Sequence, residues 1–145
     1  MLIKLQTFHS PEVLFLSSNQ FTGQIPTSIG RLSRTLRGLY LSDNQFLGTI
    51  PRQLCAFSAM EALFLDTNQL IGPIPECFGE LTELRQLYLF QNELTGSVPP
   101  ELEELSNLSK SIEALAASTF SAKCNFSLYQ LTLALQLAWG SSKIN

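Results

Sequence analysis

The chain has 145 residues, of which 45% are hydrophobic and 14% are charged, and its formal net charge is −3 at pH 7. This composition is ordinary for a single folded domain and argues against disorder. The few lysines and arginines are scattered rather than gathered in a basic stripe, so the composition excludes the electrostatic footprint of a nucleic-acid-binding protein.

The amino end gives little sign of targeting. Residues 1–13 lack the long apolar core and the small-residue cleavage site of a secretory signal. The longest apolar run, Phe126–Trp139, is interrupted by polar residues and is too short to span a bilayer. Taken literally, the sequence predicts a soluble, untargeted chain without a membrane segment.

One stretch, Leu63–Pro75, is repeated three more times along the chain. It reads LFLDTNQLIGPIP, and related stretches begin at Leu14, Leu39 and Leu87. A fixed period in the twenties, with Leu, Asn, Gly and Pro at fixed offsets, is the signature of a solenoid. We assign four full repeats, at residues 11–35, 36–59, 60–83 and 84–107.

Each repeat predicts a strand followed by a helical turn. Leucines that alternate with other residues, such as Leu63 and Leu65, would point inward from a strand, and strands of successive coils would stack about 4.8 Å apart in a parallel sheet. Gly and Pro then turn the chain away. An apolar pair spaced by three, such as Phe78 and Leu81, favours a turn of 3₁₀ or α-helix on the outer side. The predicted fold class is therefore α/β, a solenoid arc with a concave parallel sheet.

One asparagine per repeat follows each predicted strand. At this bend an inward-facing amide can donate to and accept from the backbone of neighbouring coils. It would satisfy peptide groups that the turn leaves open. We therefore predict a structural ladder without a catalytic role, made of Asn19, Asn44, Asn68 and Asn92.

The repeat pattern stops after Leu108. A fifth repeat would need Leu near position 111 and Asn at position 116, where the chain has Ser111 and Ala116. We therefore divide the chain into a solenoid at 1–108 and a non-repeat segment at 109–145. Two interpretations of this segment stay open: it caps the last coil, or it is the accidental end of a truncated or mis-spliced transcript.

The cysteines are Cys55, Cys77 and Cys124, an odd set without a CxxC motif, which indicates neither a zinc site nor a disulfide framework. Cys55 and Cys77 fall on the same side of successive repeats, but their offsets within the repeat differ by two. Because disulfide geometry is strict, we expect two buried thiols rather than a bridge.

The four repeats resemble the plant-type leucine-rich repeat, whose second half reads L-x-G-x-I-P-x-x-L-G-x-L. In the third copy the matching positions are Leu70, Gly72, Ile74, Pro75, Phe78, Gly79 and Leu81. This family includes ectodomains of receptor-like kinases and receptor-like proteins, and secreted polygalacturonase inhibitors. The resemblance implies ligand binding on the concave face, and an extracellular or membrane-attached location if a longer parent exists. The family's paired-cysteine caps and a kinase motif are not found in this sequence.

Signatures of catalysis are missing from the sequence. It contains no phosphate-binding glycine loop, no HExxH and no GxSxG elbow. His9 is the sole histidine, so a Ser-His or Cys-His mechanism would depend on a residue near the start of the chain. We therefore expect that the protein is not an enzyme and that it binds no cofactor or metal ion.

Outward-facing positions of the predicted strands are the candidates for binding. One aromatic residue per coil occupies the same slot, meaning the same position in successive coils: Phe15, Tyr40, Phe64 and Tyr88. Stacked along the sheet, these residues predict an aromatic stripe on the concave surface. Such exposed patches tend to mark interfaces, although aromatic residues also suit strands and pack along sheets for structural reasons.

Two further rows flank the predicted stripe. The row two positions after the stripe contains polar residues in the first three coils, Asp66 among them, and Phe90 in the fourth. The row three positions before the stripe contains charges of alternating sign, including Arg37 and Arg85. We predict that these four residues, with the stripe, contact a protein or peptide. Exposed ion pairs add little affinity but discourage wrong partners.

A second interpretation is a structural or surface-recognition protein that binds a glycan wall or an ordered lattice such as ice. Flat rows of Thr or Ser would favour it, whereas Thr22, Thr49 and Thr95 are irregularly placed. Asn107 and Asn125 each begin an N-glycosylation sequon, which has meaning only in the secretory pathway.

Overall fold

The computed structural model describes residues 12–32 and 34–108, which wind into four successive coils. The first strands of the coils are β1 (Val13–Phe15), β3 (Gly38–Tyr40), β5 (Ala62–Phe64) and β7 (Gln86–Tyr88). The second strands are β2 (Thr22–Gln24), β4 (Gln45–Thr49), β6 (Gln69–Gly72) and β8 (Glu93–Leu94). The 3₁₀ helices are η1 (Thr27–Arg31), η2 (Arg52–Ala56), η3 (Glu76–Glu80), η4 (Pro100–Glu104) and η5 (Ser106–Leu108).

The first strands form the parallel sheet that the leucine pattern predicts. Its order is β1-β3-β5-β7, and the inward leucines Leu14, Leu39, Leu63 and Leu87 lie in register across it. The second and third of these side chains are fully buried in one continuous core. The solenoid with a parallel sheet and short outer helices is thereby confirmed.

A second parallel sheet, in the order β2-β4-β6-β8, follows the bend after the first. The sequence did not predict it, because the glycine in each repeat was interpreted as a place where the chain turns away. Gly48 has a φ of 74° and Gly72 a φ of 78°, yet both lie within strands. Around the first of them Phe46 is buried and Leu47 is exposed, the alternation of a half-buried strand.

The outer side consists of the 3₁₀ helices, as the sequence predicts. Each of the first four starts directly after a proline, whose φ near −65° suits the approach to a helical turn. Ile29, Leu54 and Phe78 point from these helices into the core at the same slot of successive coils. The short helices therefore close each coil over the apolar interior.

Cys55 and Cys77 form a disulfide bond between η2 and η3, with Cα atoms 5.9 Å apart. The expectation of two free thiols is therefore wrong, and the reason lies in the register of the outer side. A Cβ added to Gly30 would lie 2.9 Å from the Cβ of Gln53, so this slot faces the position two residues earlier in the next coil. Cys55 stands in that glycine slot, and Cys77 stands in the position that the slot faces. The offset of two, which argued against a bridge, is the offset that the coils require.

The asparagines after the first strands tie each coil to the preceding one. The Asn68 amide donates to the carbonyl of Leu41 in the preceding coil at 3.0 Å and accepts from the backbone N–H of Phe46 at 3.0 Å. It also donates to Leu65 and Asp66 in its own coil. Asn44 and Asn92 repeat this arrangement, whereas the exposed Asn19 donates to Leu16 and Ser17 of its own coil.

The residue before each of these asparagines has a left-handed backbone. Ser18, Asp43, Thr67 and Gln91 have φ values between 51° and 55°. This conformation turns the chain sharply enough for the following amide to point inward. It is uncommon for residues other than glycine, and most costly for a β-branched residue such as Thr67.

Candidate ligand-binding face

Four aromatic side chains form a continuous stack along the first sheet, and we call Phe15, Tyr40, Phe64 and Tyr88 the aromatic row. The successive ring centroids are 4.5, 4.7 and 4.3 Å apart, and the rings are inclined to one another by 21°, 32° and 22°. The strand register puts one ring on each coil. The rings therefore follow the coil spacing of about 4.8 Å that parallel strands impose.

Stacking decides which part of each ring remains accessible. Phe15 is 70% exposed and the other three are half-buried. Because neighbouring rings cover each other's faces, the accessible parts of the inner rings are mainly their edges. The Tyr40 ring also lies over Gly38, where an added Cβ would come within 2.9 Å of Cε2. The row is thus a packed ridge whose inner rings are held on both sides.

Phe90 extends the row at the last coil, where its ring meets that of Tyr88 edge-on, with centroids 6.0 Å apart. Asp66 occupies the same slot one coil earlier but is only 8% exposed. Its carboxylate accepts from the hydroxyl of Ser42 at 2.5 Å, and the hydroxyl oxygen of Thr67 lies 3.3 Å from its other oxygen. The carboxylate thus binds residues of its own chain, and direct contact between Asp66 and a partner stays a prediction. Asp66 is buried because the residues at the same position of the two neighbouring coils, Ser42 and Phe90, flank it.

The charged row lies on the other side of the aromatic row. The row consists of Glu12, Arg37, Glu61 and Arg85. The backbone N–H of each of the last three residues donates to the backbone carbonyl of the row residue before it, so the four residues are aligned across the coils. The guanidinium of Arg37 forms a salt bridge with the carboxylate of Glu61, at side-chain exposures of 55% and 34%. Arg85 is exposed at the end of the row. At these exposures the pair contributes little stability.

The outer face of the second sheet is a surface that sequence reasoning missed. The first outward slot contains Gln45, Gln69 and Glu93, the second contains Thr22, Leu47, Ile71 and Thr95, and the third contains Gln24, Thr49, Pro73 and Ser97. Leu47 and Ile71 are 44% and 45% exposed. The eight residues of the second and third slots are uncharged, whereas the first slot ends in the exposed Glu93. The signal that could have found them is the repeated triplet of an outward residue, a glycine and a second outward residue.

The remaining candidates lie apart from these faces or outside the described residues. Asn107 is exposed, and its amide donates to the carbonyl of Thr82 at 3.2 Å. His9 and Asn125 lie outside the described residues. Within the described part of the chain, no group of three or more His, Cys, Asp or Glu side chains is suited to holding a metal ion. Nor does any helix in that part combine the length and apolarity needed to cross a membrane.

The comparisons with protein families agree on one class of repeat. Residues 34–94 and residues 10–32 match two family models, both described as leucine rich repeat. None of the curated proteins compared by sequence matches the chain.

Solved plant structures share this fold at identities of 30% and above. The plant peptide hormone receptor RGFR1, solved in complex with RGF2, is 44% identical with a TM-score of 0.64; the match covers 66% of this chain and 15% of the receptor. A chain of the BIR3–SERK2 complex from Arabidopsis thaliana is 39% identical with a TM-score of 0.59, covering 61% of this chain and 47% of that one. A plant ice-binding protein is 30% identical with a TM-score of 0.62, covering 65% and 30%. This chain thus spans less than half of each.

Proposed function

This chain belongs to the leucine-rich-repeat family, and on that premise we propose that it is a non-catalytic module that binds a protein or peptide on its aromatic row. The mechanism is rigid presentation: hydrogen-bonded coils hold the rings in place before the ligand arrives. A preorganised surface avoids the entropic cost of ordering side chains on binding. Large aromatic side chains supply most of the energy in many interfaces.

The observation that carries this proposal is the unbroken stack of four partly exposed rings. An apolar ridge of this kind exceeds the scattered apolar residues that soluble surfaces normally expose. Its position on the first sheet is also accessible along the whole width of the four coils. RGFR1 in complex with RGF2 and the BIR3–SERK2 complex are similar proteins that bind a peptide and a protein respectively, which supports a ligand of the same class.

The test uses a random peptide library panned against the immobilised full chain, followed by titration of the recovered peptides. We expect Phe64→Ala with Tyr88→Ala to weaken their binding at least tenfold, because two anchor rings are lost. The matched control is Leu47→Ala with Ile71→Ala, which truncates two exposed side chains on the second sheet. Circular dichroism melts check that both double variants remain folded. Equal affinity of the two double variants would refute the aromatic row as the binding site.

A second candidate function is adsorption to an ordered lattice such as ice through the second sheet. The supporting observation is that two of its outward slots contain only uncharged residues, and that the register places Gln24 beside Leu47 and Thr49 beside Ile71. One of the similar structures is a plant ice-binding protein, which supports a lattice as the ligand. The rows mix Thr, Leu, Ile, Gln, Pro and Ser instead of repeating one residue, so this candidate ranks second.

The two sheets allow the candidates to be separated by one pair of variants. If the lattice function is correct, the chain is incorporated into a slowly growing ice surface, and Leu47→Lys with Ile71→Lys prevents this. Phe64→Ala with Tyr88→Ala would then leave incorporation unchanged. Exclusion of the unmodified chain from ice eliminates the second candidate and leaves the peptide-binding proposal intact.

A further inference from the structure

The aromatic row alternates between residues without and with a hydroxyl group: Phe15, Tyr40, Phe64 and Tyr88. We propose that the row selects a proline-rich peptide in the polyproline II conformation, which lies across the strands and brings every third residue to a tyrosine. This inference rests on the proposed function and specifies the conformation and composition of its ligand. It follows from the spacing of the rings, from the parts of the rings that are accessible, and from the hydroxyl groups.

The spacing of the tyrosines matches one turn of polyproline II. Tyr40 and Tyr88 are separated by two coils, and the ring steps of 4.7 and 4.3 Å between them put their centroids at most about 9.0 Å apart, close to two strand spacings. Polyproline II rises about 3.1 Å per residue with three residues per turn, so its equivalent residues recur about every 9.3 Å. A ligand in this conformation can therefore present the same face to both tyrosines without adjustment.

Other regular conformations fit the row less well. A β-strand presents every second side chain, at about 6.8 Å, which matches neither one coil nor two. An α-helix has a pitch of about 5.4 Å, which moves out of step with the coils by more than half an ångström per turn. Among the regular conformations, polyproline II therefore has the period closest to that of the tyrosines.

The stacked rings also favour a ligand that rests on the row instead of inserting into it. Centroids 4.3–4.7 Å apart leave no room for a side chain between neighbouring rings, because packed carbon atoms are already 3.5–4.0 Å apart. Ring edges carry partial positive charge. The carbonyl groups of polyproline II have no internal hydrogen-bond partners and point outward. Flat proline rings and outward carbonyls are therefore complementary to a ridge of aromatic edges.

The hydroxyl groups supply the directional part of recognition. No hydrogen bond joins the hydroxyl of Tyr40 or Tyr88 to another described residue. Each can donate to a peptide carbonyl, and the two donors lie one polyproline turn apart. Phe64 lies between them and offers only apolar contact. The alternation therefore fixes which carbonyls of the ligand face a donor.

The experiment analyses the library panned against the full chain and then titrates a defined probe, a ten-residue all-proline peptide. We expect the recovered peptides to be enriched in prolines spaced by three. We also expect the probe to bind the unmodified chain at least tenfold more tightly than a peptide of the same length in which glycine replaces every second proline. Tyr40→Phe with Tyr88→Phe keeps all four rings but removes both donors, and should weaken binding of the probe about tenfold.

Each result separates this inference from the proposed function. Peptides that require the rings but lack proline spacing would overturn the polyproline inference and leave the proposed function standing. An all-proline probe that binds the Tyr→Phe double variant as well as the unmodified chain would also overturn the inference. Failure to recover any peptide that distinguishes the unmodified chain from the Phe64→Ala, Tyr88→Ala variant would remove peptide binding itself.

Discussion

The corner after the first strands and the outer side of the coils hold the same solenoid together in different ways. At the corner, Asn44, Asn68 and Asn92 make the same hydrogen bonds in each coil. On the outer side the contacts at one slot differ: Gly30 packs against Gln53 and Gly79 against Glu101, whereas a disulfide links the pair of coils between them. The corner uses one repeated contact, and the outer side uses two kinds of contact at one slot.

This difference explains why the contacts of the corner can be predicted from a repeat pattern, whereas those of the outer side cannot. A hydrogen bond to a backbone group requires the same donor at the same slot, because the peptide groups of each coil are alike. Packing between side chains can be achieved by any pair with complementary volume. The corner therefore requires the same residue type in each coil, whereas the outer side requires only side chains of complementary volume.

The largest expected effect comes from breaking the corner in the middle of the array. Asn68→Leu removes four hydrogen bonds and leaves the N–H of Phe46 and the carbonyl of Leu41 without this partner. The Leu41 carbonyl still accepts from the Asn44 amide, so the Phe46 N–H is the group left without its acceptor. Four hydrogen bonds contribute about 1 kcal/mol each, so we expect a loss of about 4 kcal/mol in the free energy of unfolding. Urea denaturation followed by circular dichroism measures it.

Asn19→Leu is the matched control for the corner. Its amide is exposed and donates to Leu16 and Ser17 in its own coil, so we expect a loss below about 1 kcal/mol. Equal losses for the two variants would show that bonds between coils are not what the asparagines contribute.

The next effect tests the outer side through its disulfide. Closing a loop between residues 22 apart in sequence is expected to stabilise the fold by about 3 kcal/mol. Cys55→Ser with Cys77→Ser should lower the unfolding free energy by that amount, and a reductant should lower that of the unmodified chain equally. The double variant retains Cys124, so a reductant that destabilises it further would assign the effect to something other than this bridge.

A smaller loss is expected where the outer helices approach most closely. A Cβ added to Gly79 would lie 2.4 Å from the Cβ and 2.8 Å from the backbone oxygen of Glu101. Gly79→Ala therefore forces η3 and η4 apart, and overpacking of this kind costs about 2 kcal/mol. At Gly30 the nearest atom would be 2.9 Å away and the nearest backbone oxygen 3.3 Å, so Gly30→Ala should cost less in the same urea titration. The reverse order would contradict this account of the outer side.

Particular residues show what the sequence could predict and what it could not. The slots of Asn68 and Leu63 were predictable because period and residue type coincide there. The disulfide was discounted because its offset of two has meaning only once the register between neighbouring helices is known. The second sheet was missed because glycines such as Gly48 signal a turn and a strand distortion equally well. The burial of Asp66 depends on Ser42, a residue that is 24 positions away in the chain but adjacent in space.

The smallest expected effect returns to the corner, where the repeated geometry tolerates different residues at the left-handed position. Thr67 has a φ of 54°, a conformation that costs a β-branched side chain about 1–2 kcal/mol and is easier for asparagine. Its hydroxyl recovers part of that cost by donating to Gln91 Oε1 at 2.8 Å. We therefore expect Thr67→Asn to raise the unfolding free energy by about 0.5 kcal/mol, measured by urea denaturation. Thr95→Asn, at an exposed position without positive φ, is the matched control and should change stability less. A loss of stability in Thr67→Asn would mean that the hydroxyl contact outweighs the backbone strain, and that the corner depends on coil-specific side-chain contacts as the outer side does.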